Sequence, residues 1–576
     1  MKILDSRRLT GPSLLLDRPG AILDVALEES EVESAVAAWR EEAQALLDEV
    51  GWRGERLAVR FSSRGAFSAS LALSAPIDAL YAATELNEAA WAAAASRLAG
   101  APPFDLPDRQ QVITELRAAI AGEANPPLVA LRDAAHAHGV AFLADAERAS
   151  VGLGRGAQSW PIDALPAPGE VDWPRVHDVP VALVTGTNGK TTTIRMLAAI
   201  VAAAGKVAGS TTTDRVMVGS EVLARGDYSG PTGARLALRD PRVDVALLET
   251  ARGGILRRGL AVERADAAAV TNVADDHLGE FGVEDLAGLA ITKLVVARAV
   301  RPGGWTVLNA DDPELARHGS ALQGTVAWFS LDAAHPLLAR RLAAGGAALW
   351  LQGDDLVLGR GARRERLAAI AGIPAAYGGA ARHNLANALA ALGVAAALGL
   401  PLPALRRGLA ELPSDAEHNP GRGNLIRLAD VDVLLDYAHN PHGLAALRGL
   451  VAALPAKRRS LLLGHAGDRS DDAVRALAGA AWELRPDHVV VKEMPELLRG
   501  RQPGVVPALL REELRRLGAR SLDEAPSELA GVRQALASAQ AGDLLIFLVH
   551  SQREAVLDLL RRLAAAGWQA GQPLPP

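Results

Sequence analysis

The 576-residue sequence contains no cysteine. Disulfides, thiolate nucleophiles and cysteine-ligated zinc or iron–sulfur centres are therefore excluded. Any metal must be held by oxygen or imidazole ligands. Aromatic residues are scarce, at 4%. Alanine fills the helices instead, which suits helix propensity and carries no functional meaning. Long apolar runs are missing as well. Arg7 and Arg8 lie near the N-terminus, but the stretch GPSLLLDRPG that follows is short and broken by Pro12, Asp17 and Pro19, so no secretory signal is expected. LGVAAALGLPLPAL, from Leu392, is shorter than a membrane span and contains Pro401 and Pro403. There is no strong excess of one charge. A net charge of −6 argues against a broad basic face for nucleic acid. The expectation is a soluble cytoplasmic protein, with no membrane and no nucleic-acid partner.

What is present is an ordinary globular balance, 49% hydrophobic and 22% charged. At roughly 100–200 residues per domain, about three to five domains are expected. Residues 1–150 read as a compact α/β module. RLAVRFSS (Arg56–Ser63) and ASLALSAP (Ala69–Pro76) alternate like strands, and Ala79–Leu98 and Asp108–Gly122 read as helices. Asp108 is placed to cap the second helix and Gly122 to end it. Residues 151–175 are rich in glycine and proline and read as a linker. Gly152, Gly154 and Gly156 suit a flexible connector better than a phosphate turn, because no clear strand–turn–helix frame surrounds them.

From 176 to 415 short apolar strands alternate with helices: VALVTG, VDVALLET, DAAAVTNV and WTVLNADD each end in polar residues. This predicts a parallel sheet with right-handed crossovers, whose ligands sit beyond the carboxyl ends of the strands. A second alternating region, with VLLDYAHNP, RRSLLLGHAGDR, PDHVVVKE and GDLLIFLVH, spans 416–576. The expected fold class is multidomain α/β. A small α/β N-terminal domain precedes a P-loop-type central domain with a parallel sheet and a Rossmann-like C-terminal domain.

The stretch VTGTNGKTTT carries the clearest chemistry. A strand enters, GTNGK turns and a helix leaves, the frame in which backbone N–H groups cradle phosphates. Val184 stands where the commonest phosphate loop has a glycine, so the turn is the shorter Gly186–Gly189. Lys190 can pair with β- and γ-phosphate oxygens, and Thr191 can place its hydroxyl on magnesium. Glu249 ends an apolar strand, where a carboxylate can coordinate magnesium or cap the next turn. Asp275, Asp276 and His277 follow another strand end. Lys293 interrupts an apolar helix, where a lysine usually extends its stem toward water.

Taken in order, GTNGKTT, LETARGG, NVADDHLG followed by Lys293, LNADDP, ARHNLANALAA, GRGN and LLDYAHNP resemble the Mur ligase superfamily of ATP-dependent amide ligases. The resemblance covers about residues 176–576. LETARGGILRRGL, ADDHLG, YSGPTGAR and Lys492–Leu510 are similar to its cyanophycin synthetase branch, as are Arg8–Leu15 and Ser74–Trp91. That branch has an ATP-grasp domain between the two parts, which adds aspartate to a polymer. Here only the linker occupies that place.

The resemblance implies ATP and Mg2+, and an acyl phosphate made from a carboxylate and attacked by an amino acid. Its catalytic set would be Lys190, Glu249, His277 and Lys293. Gly186, Thr187, Asn188, Gly189, Lys190, Thr191 and Thr192 would hold phosphates. Thr191 and Glu249 would bind one magnesium, and His277 would help bind a second. Lys293 matches a lysine that several members carbamylate. Asn384 and Asn387 would lie near adenine, and Arg422 and Asp436 would close over the nucleotide from the C-terminal domain. Arg252, Asp468, Arg469, Arg499 and Arg501 are candidates for amino-acid contacts, or are surface-loop charges. The partners implied are an amino acid, a carboxylate acceptor and a separate ATP-grasp enzyme, with a homo-oligomer expected. An ATP-binding or regulatory subunit of such an enzyme is one alternative, and a folylpolyglutamate-type ligase is another.

Overall fold

The strands that end in polar residues are apolar along their length because they are covered on both faces. Val181–Thr185 and Val245–Glu249 are buried at every position. In the computed structural model, which describes residues 2–61, 69–98 and 106–575, they form the middle of an 11-stranded sheet. Ala208–Thr211, Val245–Glu249, Val181–Thr185, Ala265–Val270, Val300–Asn309, Thr325–Ser330 and Ala347–Gln352 lie side by side in that order, all parallel. Antiparallel strands extend both edges: Arg215–Val218 and Glu221–Arg225 on one side, Asp355–Arg360 and Arg363–Ala369 on the other. Val181–Thr185, first in the chain of the parallel strands, sits between later ones. That arrangement opens a crevice beyond its carboxyl end.

A second sheet is built from 424–548. Asp432–Asp436, Asp543–Leu548, Arg458–Leu463, His488–Lys492 and Leu522–Ala525 are parallel in that order, and Asn424–Arg427 runs antiparallel at one edge. The expected mixed α/β class is the one observed. Among the described residues no helix is long and apolar enough to cross a membrane.

The N-terminal residues form a four-stranded antiparallel sheet in the order Lys2–Leu9, Gly20–Ala26, Ala69–Ser74, Leu57–Phe61. Helices Val32–Glu49 and Leu80–Leu98 bury Trp39, Leu46, Leu86 and Trp91 against it. Of the expected strand Arg56–Ser63, Ser62 and Ser63 lie outside the described residues. The helix expected from Asp108 begins instead at Leu106 and runs through Gly122 to Glu123. Pro107 suits a first helical turn, so Asp108 falls inside the helix rather than capping it.

The stretch 151–175 differs from a free connector. Arg148–Val151 pairs with Phe142–Ala144 and with Gln158–Pro161 in a three-stranded sheet. Its glycine-rich turn is bonded to the central body: the Arg155 amide donates to Val243 O at 3.0 Å and the Leu153 amide to His177 O at 3.0 Å. The N-terminal sheet is joined to the same body. The Thr10 amide donates to Arg258 O at 2.9 Å, the Leu260 amide to Pro12 O at 2.6 Å, and Arg7 Nε to Leu256 O at 2.9 Å.

Candidate active site

The phosphate loop is shaped by what its glycines touch. Gly186 has φ +145 and Gly189 φ +87. A Cβ on Gly186 would lie 1.9 Å from Thr271 Oγ1, and one on Gly189 would lie 2.1 Å from Asn387 Oδ1. The turn is thus pressed between the end of strand Ala265–Val270 and helix Arg382–Ala397. Thr187 is fixed to the first of these: its hydroxyl donates to Ala274 O at 3.1 Å and accepts from the Ala274 amide at 3.0 Å. Lys190 folds back on its own loop, donating to Gly186 O at 3.0 Å and Thr187 O at 3.1 Å. Thr192 is buried at the start of the helix Lys190–Ala203.

Next to the loop is Glu249. Thr191 Oγ1 donates to its Oε2 at 2.8 Å and the Thr213 amide at 3.3 Å. Its Oε1 is buried with no hydrogen-bond partner among the described residues. Burial raises the Glu249 pKa, with Lys190 pulling the other way. A buried carboxylate oxygen without a partner is costly. A hydroxyl and a carboxylate side by side are the donors a hard divalent cation takes. Thr191 and Glu249 therefore fit magnesium. Lys293 is fully enclosed nearby. Burial drives its pKa well below the ordinary 10.5, and Lys190 adds to the fall. It forms no ion pair with any described carboxylate, and burial favours its uncharged form over the ammonium.

Arg252, His277 and Glu280 form one group. His277 has φ +57, a strained backbone for a residue with a Cβ. Its carbonyl accepts from Arg252 Nη1 at 2.5 Å and its Nδ1 lies 2.8 Å from Glu280 Oε1. Arg252 also pairs with Glu280. Arg469 reaches across from the C-terminal body, with Nη1 and Nη2 at 2.8 and 2.5 Å from the two His277 ring nitrogens. Asp276 lies beneath. Burial would raise its pKa, but His439, His277 and Arg469 together hold it far below the carboxylate range. His277, Glu280 and Asp468 bring ligand atoms within 4.8 Å of one another. Both carboxylates are already paired, Glu280 with Arg252 and Asp468 with Arg499.

A cavity of about 370 Å³ adjoins the loop, within the range of small-molecule sites. It is lined by Asn188, Gly189, Thr192, Asn384, Asn387, Arg422 and Asp436 among others. Asn384 Nδ2 donates to Ala375 O at 2.9 Å and Asn387 Nδ2 to Asn384 Oδ1 at 3.1 Å. Arg422 stacks on Tyr437 at 4.4 Å and approaches Thr213 Oγ1 at 3.4 Å. Nearly all the residues expected at the site are therefore in one region. Arg499 and Arg501 stand apart. Arg499 pairs with Asp468, while Arg501 holds Gly467 O at 2.9 Å, Arg469 O at 2.5 Å and Asp471 at 2.7 Å. They brace the loop that carries Arg469.

Other residues at the site are not among those singled out from the sequence. Asn440 exchanges amide hydrogen bonds with Asn188 at 3.1 and 3.2 Å, and His442 Nδ1 lies 3.0 Å from Asn188 Nδ2. Asp214 accepts from Arg195 at 2.6 Å and from Arg553 at 2.8 Å. Burial brings Arg195 down to about 9, partly offset by Asp214. Only the motif YAHNP, with an asparagine before a proline at a helix start, hinted at Asn440; Asp214 had no such cue.

Residues 184–395 match the family described as Mur ligase middle domain, and 421–548 match Mur ligase, glutamate ligase domain. Cyanophycin synthetase of Geminocystis herdmanii is 40% identical over 332 residues, 58% of this chain and 38% of the relative. Cyanophycin synthetase of Trichormus variabilis is 37% identical over 379 residues, 66% of this chain and 42% of the relative. The chain thus spans about two-fifths of the length of these synthetases. The UDP-N-acetylmuramoyl-L-alanyl-D-glutamate–2,6-diaminopimelate ligase of Alkalilimnicola ehrlichii is 32% identical over 409 residues, 63% of this chain and 76% of the relative.

Proposed function

Because the chain belongs to the Mur ligase family, we propose that it is an ATP-dependent ligase that joins the amine of an amino acid to a carboxylate. The observation that carries this reading is the buried, unpartnered Oε1 of Glu249 beside the Thr191 hydroxyl, next to the phosphate loop. An acceptor carboxylate oxygen attacks the γ-phosphorus of ATP. The bond from that phosphorus to the β–γ bridging oxygen breaks, and ADP leaves. The amine then attacks the acyl carbon, the acyl C–O bond breaks, and phosphate leaves with the amine's proton. Thr191 and Glu249 would hold a magnesium ion, which supplies charge neutralisation at phosphate oxygens.

The residues of the chain do the rest by position. Amides of Gly186–Thr192 face the phosphates, and Lys190 exchanges its carbonyl partners for phosphate oxygens. Asn384, Asn387, Arg422 and Asp436 surround the rest of the nucleotide. Arg252, His277 and Arg469 face the reacting carboxylate and amine, with His277 the candidate for a second metal. Burial favours the uncharged form of Lys293, the form that combines with CO2 to give a carbamate and a proton. Closure of the C-terminal body excludes water that would hydrolyse the acyl phosphate. Whether a separate ATP-grasp enzyme works alongside is answered by comparing ADP release with and without one.

Lys190→Ala tests the assignment. ADP release with a panel of amino acids and carboxylates is expected to fall at least about 100-fold, as for loss of one key electrostatic group. Its melting temperature should match wild type. Full ADP release by this variant would overturn the reading.

A further inference from the structure

Residues 412–423 join helix Leu402–Glu411 of the central body to Asn424–Arg427, the edge strand of the C-terminal sheet. This linker is a folded loop. The buried Asn424 side chain donates to Asp415 O at 2.9 Å and Asn419 O at 3.0 Å, and accepts from the Gly421 amide at 2.7 Å. Gly421 and Gly423 flank Arg422, with φ +70 and +69. Arg422 lines the cavity beside the phosphate loop, where it rests on the Tyr437 ring. The shape of the linker therefore decides where this guanidinium stands.

A side chain of the central body holds both ends of the linker. Tyr377 Oη donates to Gly423 O at 2.6 Å, and accepts from the Leu425 amide at 3.3 Å and the Ser414 hydroxyl at 3.2 Å. The donor and both lone pairs of the phenol are thereby used. Burial raises its pKa above the ordinary 10, with the Ser414 and Leu425 bonds pulling the other way, so the group stays a donor. The backbone here is unusual. Tyr377 has φ +48 and ψ +52, and Gly378 follows at φ +64. A left-handed backbone is ordinary for glycine and strained for tyrosine, and such strain persists only where the surroundings impose it. It turns the chain from one core to the other. Ala375 and Ala376 are buried in the central core, while the next ring packs on the C-terminal core. A second tether is Arg195, whose Nη1 donates to Asn419 Oδ1 at 2.5 Å. In sequence, Arg422 falls between these two anchored points.

We propose that Tyr377 is a positioning residue for the nucleotide: its hydroxyl fixes the linker so that Arg422 is held over the cavity beside the phosphate loop. It touches no reacting atom and acts through Arg422. The proposal rests on the ATP-dependent reading for the identity of the ligand. ADP binding is measured without turnover, so the test does not depend on which amino acid or acceptor is joined. A phenol that only satisfied buried backbone groups would contribute to stability, and any effect on nucleotide affinity would be independent of Arg422.

The test is a double-mutant cycle on the full chain, with ADP binding in the presence of magnesium read by calorimetry. Tyr377→Phe keeps the ring and removes only the hydroxyl. Arg422→Gln removes the charge. Each alone should weaken ADP binding about tenfold, equivalent to losing one charge-assisted contact. The combined variant should bind within about twofold of Arg422→Gln alone, because the hydroxyl acts through the guanidinium. Ser414→Ala removes a bond between linker and phenol from the other partner. It should weaken ADP binding in the same direction, again only while Arg422 is present, and it decides the matter if Tyr377→Phe does not fold. Unchanged affinity in Tyr377→Phe and Ser414→Ala, or losses that multiply in the combined variant, overturns the proposal. Absence of ADP binding by wild type would overturn both this proposal and the nucleotide reading. The expected cycle with no amide product from any substrate pair would remove the ligase reading and leave the role of Tyr377 standing.

Discussion

Glu249 and Lys293 are buried side chains that form no ion pair among the described residues, and each makes a prediction that stability measurements can check. The unpartnered Glu249 oxygen costs the metal-free fold, because a carboxylate has been taken out of water. Its folded pKa lies above the ordinary 4.5. The favourable contribution is present below that value and is lost as pH rises through the folded pKa. Glu249→Gln should therefore leave the metal-free melting temperature at neutral pH equal or higher, while magnesium-dependent ADP release falls about 100-fold. Lys293 has the opposite sign. Its folded pKa is depressed, so the unfolded chain binds more protons and stability rises with pH. In CO2-free buffer the melting temperature of wild type should gain on that of Lys293→Met between about pH 7 and about pH 9. A constant gap would count against a neutral amine. Glu249 was visible in the sequence as the polar end of an apolar strand, and Lys293 as a polar interruption of an apolar helix. Their burial was not, because the covering groups come from other segments.

The phosphate loop and the 151–175 stretch show how far pattern reading carries at the level of elements. VTGTNGKTTT declared its strand, turn and helix because apolar run, glycines and helix formers follow one another locally. The reason both glycines are needed lies in Thr271 and Asn387, far along the chain. Gly189→Ala should cost about 1–3 kcal/mol, from a strained φ and a clash with the Asn387 side chain. Calorimetric ADP binding should be lost even in the molecules that remain folded. The 151–175 glycines gave the opposite lesson. Glycine marks a flexible connector and a close backbone approach equally well, and only the bonds to His177 and Val243 separate the two.

Across the whole molecule the central and C-terminal bodies meet through polar contacts and through Tyr377, Ala380 and Ala381, which pack on the C-terminal core. Asn188 and Asn440 are 252 residues apart, and Arg469 and His277 are 192 apart. Such pairs leave no periodic trace, so the contacts that join the two bodies could not be read from the sequence. Asp214 is the most consequential. It sits among Arg195, Arg553 and Arg422 with its side chain 8% exposed. Asp214→Ala would leave buried cations facing one another, at a cost of about 3–5 kcal/mol. Denaturant unfolding should show that loss, and small-angle scattering should show a more extended molecule. Unchanged unfolding would remove Asp214 from this role.

The union between the N-terminal strand and the central body also sets a timetable. Thr10 bonds to Arg258, 248 residues later. At about 5–20 residues per second, a ribosome needs on the order of tens of seconds to deliver that partner. During the interval Lys2–Leu9 stands at the open edge of its sheet. An uncovered edge invites pairing with other nascent chains, and charged residues discourage it. Lys2, Asp5, Arg7 and Arg8 are charges of that kind on this strand, and Arg7 is buried once the central body is in place.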